Sequence, residues 1–106
     1  MNVWVMLSTA GSLREAKRIA KTLVEEKLAA CATVLPGALS YFYWEGKLSR
    51  EKETVILAKT TGRRTGKIMK KIKEIHSYQV PEILFFPAAR GEKGYSEWVK
   101  KSAAGK

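Results

Sequence analysis

Two apolar runs, Ala29-Ala30-Cys31-Ala32-Thr33-Val34-Leu35 and Ala38-Leu39-Ser40-Tyr41-Phe42-Tyr43-Trp44, are separated only by Pro36-Gly37. Read as one strand, the stretch extends about 50 Å at about 3.3 Å per residue. A compact chain of 106 residues is only about 35 Å across. Part of this arm must therefore project or bend sharply. Proline withdraws a ladder donor and glycine tolerates unusual dihedrals, so Pro36-Gly37 predicts a bulge or bend. Glu45-Gly46 reads as a hairpin turn, with a return strand at Thr54-Val55-Ile56-Leu57-Ala58. Beyond the bend, Leu39, Tyr41 and Tyr43 alternate with Phe42 and Trp44, so both faces of the ribbon are apolar. Such a ribbon aggregates unless another chain covers it. The arm predicts an obligate oligomer.

The other elements follow from periodicity. Val3-Trp4-Val5-Met6-Leu7 is a strand-length run expected to be covered on both faces, turning at Ser8-Thr9-Ala10-Gly11. Ser12-Leu13-Arg14-Glu15 reads as a capping box that opens a helix. Leu13, Ala16, Ala20, Leu23, Val24 and Leu28 form its apolar face. A second helix spans roughly Arg64 to Ile75, with Ile68, Met69, Ile72 and Ile75 inward and Arg63, Arg64, Lys67, Lys70, Lys71 and Lys73 outward. Pro81 pushes Val80 into an extended conformation, so that helix must end near His76. Ile83-Leu84-Phe85-Phe86 is the last strand, and Tyr95 to Lys101 a short helix before a frayed Ser-Ala-Ala-Gly tail. The order strand–helix–strand–strand–helix–strand predicts an α+β, ferredoxin-like βαββαβ sandwich in a single domain over residues 1–106, with the first and third strands central.

Hydrophobic residues make up 45% of the chain, an ordinary globular share that argues against disorder. No stretch approaches the roughly 20 apolar residues needed to cross a bilayer, and no secretory signal is legible. A single cysteine suits a reducing compartment, so the expected location is cytoplasmic. The net charge of +10 is spread through the helices, as on a lysine-rich solvated surface. No base-stacking aromatic and glycine-rich motif and no phosphate-cradling loop accompanies it, which argues against nucleic acid as a partner.

His76-Ser-Tyr78-Gln-Val80-Pro81-Glu82 joins the basic helix to the last strand and holds the only histidine. Together with Ala29-Ala30-Cys31-Ala32, Tyr43-Trp44-Glu45-Gly46-Lys47 and Lys59-Thr60, this joint resembles the CutA family, named for divalent-cation tolerance. The resemblance covers roughly Val3 to Trp98. It implies a ferredoxin-like subunit with an extended hairpin, a homotrimer akin to the PII signalling proteins, and a hairpin that reaches a neighbouring subunit. It also implies an association with copper and other divalent cations. Where family members carry a copper site, a cysteine near the end of the first strand joins one or two histidines at this joint. Here Ser8 and Ile75 stand in two of those places, leaving His76 as the remaining ligand. One imidazole is a poor soft-metal site, so no cofactor is required and any copper binding is expected to be weak.

His76 has two readings: a ligand or proton-transfer group, or a side chain bonded to a last helical carbonyl. Cys31 reads as a small buried residue. Glu53, Lys59 and Glu82 lie on different strands and are expected to meet Trp44, His76 and Tyr78 in one pocket, which the resemblance places at the cleft between subunits. That pocket suits a small polar ligand or a hard cation. Equally, Glu82 and Lys59 form a subunit-locking ion pair. No nucleophile–base spacing marks an enzyme. The function expected is a binding or signalling scaffold linked to metal tolerance. The alternative is a small-molecule sensor or enzyme using His76 and Glu82.

Overall fold

Thr54, Ile56, Ala58 and Thr60 occupy alternate positions and are all buried, the signature of a strand with one face on a core. In the computed structural model, which describes residues 2–104, they belong to the central strand of a four-stranded antiparallel sheet. The elements are β1 (Val3–Ala10), α1 (Leu13–Glu25), β2 (Cys31–Trp44), β3 (Lys47–Thr61), α2 (Thr65–Ile75), β4 (Ile83–Pro87) and α3 (Lys93–Ser102). The sheet order is β2-β3-β1-β4, so β1 and β3 are central as expected. Among the described residues no helix is long and apolar enough to cross a membrane.

Helices α1 and α2 cover one face. Ile19, Leu23, Ile68 and Ile72 pack there against Met6, Ala10, Ile56 and Ala58. Ile19 adds to the expected stripe of α1, while Leu13 and Val24 of that stripe, and Met69 of the α2 stripe, are exposed. The second face is only partly covered. Val99 of α3 and Ala103, its C-cap, pack on Val3 and Ala30 at one end. Beyond them Leu7 lies in register with both Leu57 and Leu84, and Val5 with Phe86. Leu35, Leu84 and Phe86 are each about half exposed. The expectation that β1 is covered on both faces is not met within one chain.

Three boundaries differ from expectation. Ser8, Thr9 and Ala10 continue β1, because they pair with Ile56, Val55 and Thr54 instead of turning. β3 begins at Lys47 because the hairpin ladder runs unbroken from the turn. Ala103 is buried and the tail is docked there, not frayed; Gly105 lies outside the described residues. Arg64, expected on an outer helix face, is 4% exposed. Its guanidinium reaches across to donate to the carbonyls of Ala103 and Ala104. A preceding 3-10 turn (Gly62–Arg64) rotates it inward.

The bend and the turn of the arm lie where the sequence predicts them. Register slips between Leu35 and Ala38, at Pro36-Gly37, where Gly37 has φ 84°. Glu45 and Gly46, at φ 51° and 80°, make the two-residue turn that suits the strand twist. Tyr43 and Trp44 are 74% and 65% exposed. The chain measures 45 × 26 × 21 Å.

Candidate functional site

His76 ends α2 where Pro81 demands it, its N–H still donating to the Ile72 carbonyl. Its ring, however, turns away from the helix end. Nε2 lies 2.7 Å from the carbonyl oxygen of Thr9 on β1, and Nδ1 accepts the N–H of Tyr78 at 2.9 Å. These partners require the proton on Nε2, which donates to Thr9. The imidazole side chain is 0% exposed. Of the two readings of His76, the bonded structural one describes its geometry, with a strand carbonyl in place of the helical one.

The ring sets the next residue of the site. Tyr78 packs on His76 with centroids 4.7 Å apart, and its hydroxyl donates to Glu53 Oε2 at 3.0 Å. Ser40, across the hairpin, donates to Glu53 Oε1 at 2.5 Å. Gly11 makes room for the phenol: a Cβ there would sit 3.1 Å from its oxygen. Burial, then the bond and charge of Glu53, push the Tyr78 phenol up to about 12. It therefore stays a neutral donor at physiological pH.

Behind the joint, Glu15 accepts the Ser77 N–H at 2.7 Å and the Ser77 hydroxyl at 2.9 Å. Ser12 caps α1 as expected, accepting from the Glu15 N–H. Glu15 itself is drawn to Ser77, so the reciprocal half of the capping box gives way to a tertiary contact. Burial raises the Glu15 carboxyl, but the Ser77 bonds, His76 and Arg18 together hold it below its ordinary 4.5. A depressed folded value means stability present above about 4.5 and lost as pH falls through the folded value. Thermal unfolding should accordingly show the wild-type midpoint falling more steeply with acid than that of Glu15→Gln. Parallel curves would remove Glu15 from the acid response.

Thr9, Ser40, Tyr41, Phe42, Glu53, Tyr78, Val80 and Glu82 line a cleft of about 440 Å³ at the root of the arm. Of the expected site residues, the fold thus brings together Glu53, Tyr78 and Glu82, with His76 directly behind. Trp44 pairs with Lys47 at the tip, about 20 Å along the ladder from Glu53. Lys59 lies about 20 Å the other way, in register with Val5 and Cys31, and its Nζ donates to Thr33. Within the chain neither reaches the cleft, and no Lys59–Glu82 pair forms between these strand ends. Thr9, Gly11, Glu15 and Ser40 are not among the site residues that the sequence suggests. Only the alternation that sets Ser40 and Glu53 on facing strands hinted at one of them.

The copper-site fit can be tested on this geometry. Both His76 nitrogens are engaged, and Ser8 Oγ is buried without a partner in place of a thiolate. Among the described residues no three His, Cys, Asp or Glu side chains group to hold a metal. As folded, these residues do not fit a copper site.

A four-stranded antiparallel sheet with two helices on one face, a third at its end and a polar cleft below a projecting hairpin defines a small α+β sandwich. The sequence model described as CutA1 divalent ion tolerance protein matches residues 4–102. The chain belongs to that family. It is 40% identical over 98 residues to the divalent-cation tolerance protein CutA of Thermus thermophilus, covering 92% of this chain and 95% of that one. It is 43% identical over 98 residues to the Citrobacter koseri protein of the same name, covering 92% and 85%. The crystal structure of CutA from Xylella fastidiosa superposes with a TM-score of 0.94 at 32% identity, covering 97% of this chain and 99% of that one. A structure from Archaeoglobus fulgidus, described as a periplasmic divalent cation tolerance protein, gives 0.91 at 38%, covering 95% and 98%.

Proposed function

We propose that this chain acts in divalent-cation tolerance as a ferredoxin-like, PII-like homotrimer, a cytoplasmic scaffold that binds or signals and does not catalyse. One observation carries the assembly: a half-open apolar sheet face continuous with an exposed aromatic arm. Leu35, Leu84 and Phe86 on the face, and Leu39, Tyr41, Tyr43, Trp44 and Leu48 on the arm, are each between 47% and 74% exposed. Patches of that extent mark interfaces. An arm about 20 Å past its bulge reaches beyond its own subunit to another. Trp44 and Lys59 then join the site from a neighbouring copy. Sedimentation at micromolar concentration should give three copies of 11.9 kDa. A single-copy mass would refute the assembly.

A second reading, small-molecule sensing at the cleft, is favoured by the Ser40–Glu53–Tyr78 network. Tyr78 and Glu53 replace His76 as the groups that face a ligand. Copper binding through His76 would first have to break one of its two hydrogen bonds, which keeps any direct affinity weak. Calorimetry with copper should give the same weak response from wild type and His76→Ala; loss in the variant would restore His76 as a ligand.

A further inference from the structure

The cleft at the root of the arm combines features that narrow its ligand. Its floor is the Glu53 carboxylate, aimed by hydroxyls from two different elements, Ser40 and Tyr78. Each carboxylate oxygen accepts one of these bonds and retains acceptor capacity for a ligand. Its rim carries Glu82, and its apolar walls are Phe42 and Val80. The chain holds twenty lysines and arginines, yet their ion pairs among the described residues involve Glu25, Glu26 and Glu74, not Glu53 or Glu82. Strand alternation explains this. Arg50 and Lys52 fall on the opposite face of β3 from Glu51 and Glu53, so the nearest bases point away. The field is felt at Tyr78, whose phenol is raised by the charges of Glu53, Glu15 and Glu51. A strongly basic protein thus keeps a negative cleft with an aromatic wall at the root of its arm.

We infer that this cleft binds an organic cation, a primary ammonium or guanidinium on a short apolar body. The inference rests on the cleft reading above and names its ligand class. A hard divalent ion wants six or more oxygens, and Phe42 and Val80 offer none. An ammonium needs only the carboxylate and neighbouring hydroxyls, and its apolar body gains from the apolar walls. A cavity of about 440 Å³ is of the size that takes small ligands.

The test is calorimetry and ligand-observed NMR on the intact protein with 2-phenylethylamine and agmatine as probes. The neutral 2-phenylethanol and manganese chloride alone serve as comparisons. The amines should bind at least about tenfold more tightly than the alcohol, as a charge-assisted bond is stronger than a neutral one. Glu53→Gln, which keeps the shape, accepts one of the two hydroxyls at its oxygen and donates its NH2 to the other, should lose about that factor; Glu25→Gln, a remote carboxylate, should not. Equal binding of alcohol and amine, indifference to Glu53→Gln, or manganese excluding the amines would overturn the assignment. So would the absence of amine binding, which would leave a lysine or arginine of a second copy as the occupant. Sedimentation of the same samples separates the two levels. A trimer that ignores amines ends this inference alone, whereas a monomer ends the assembly reading.

Discussion

His76→Ala should lower the stability of the folded chain by about 3 kcal/mol. The substitution removes a fully enclosed ring and leaves the Thr9 carbonyl and the Tyr78 N–H without their partners. Each unsatisfied group costs about 1–3 kcal/mol when shut away from water, and the cavity adds to that. Against a typical total of about 5–15 kcal/mol the loss is large. His76→Phe restores ring volume but neither bond, and should recover only the cavity part. Denaturant unfolding at one fixed protein concentration measures both, since any assembly makes stability concentration-dependent. A second readout follows the site. With the ring gone, Tyr78 slackens from Glu53, and its phenol should titrate back from about 12 toward 10. A raised folded value means the bond stabilises fully below the ordinary 10 and is lost as pH climbs through about 12. A variant within about 0.5 kcal/mol of wild type with an unmoved Tyr78 titration would show that the ring holds nothing in place.

Arg64→Ala should cost a similar amount, about 3 kcal/mol, at the other end of the sheet. Arg64 is buried with no carboxylate partner among the described residues, its guanidinium donating to the Ala103 and Ala104 carbonyls just past α3. The Ala103 carbonyl is one of the orphan acceptors of a helix terminus, where a cation is also favoured by the dipole. Bonds to a charged group contribute about 1.5–3 kcal/mol each. Lysine offers a point donor in place of a fork, so Arg64→Lys should restore one bond of the two. Hydrogen exchange localises the effect: amides of α3 should lose protection before those of β3. Unchanged α3 protection would mean the helix is held by Val99 and Ala103 alone.

Both residues show where sequence reading stops. His76 was singled out because it is the only imidazole and precedes a helix-ending proline, yet its partner Thr9 lies on the first strand. Glu15 matched a local capping pattern but bonds Ser77, far along the chain. Arg64 fitted a basic helical stripe until a single 3-10 turn rotated it inward. In each case a local rule competed with a tertiary contact that buries the side chain, and burial makes the tertiary partner worth more. Trp44 and Lys59 fail to reach the cleft for a simpler reason. Residue type alone does not say how far along a strand a side chain stands; pairing register does.

From its residues alone this chain announced its element order, its central strands, the bulge at Pro36-Gly37, the turn at Glu45-Gly46 and the family it resembles. Those features rest on interactions within a few residues: proline and glycine dihedrals, apolar periodicity and one serine cap. Only the tertiary structure decided that Thr9 holds His76, that His76 holds Tyr78, and that Tyr78 with Ser40 aims Glu53 into a cleft that no lysine or arginine among the described residues lines. Such partners are set by which strand faces which and at what register. That choice is made by the packed sheet as a whole, where buried polar groups must find donors and acceptors wherever the fold has placed them.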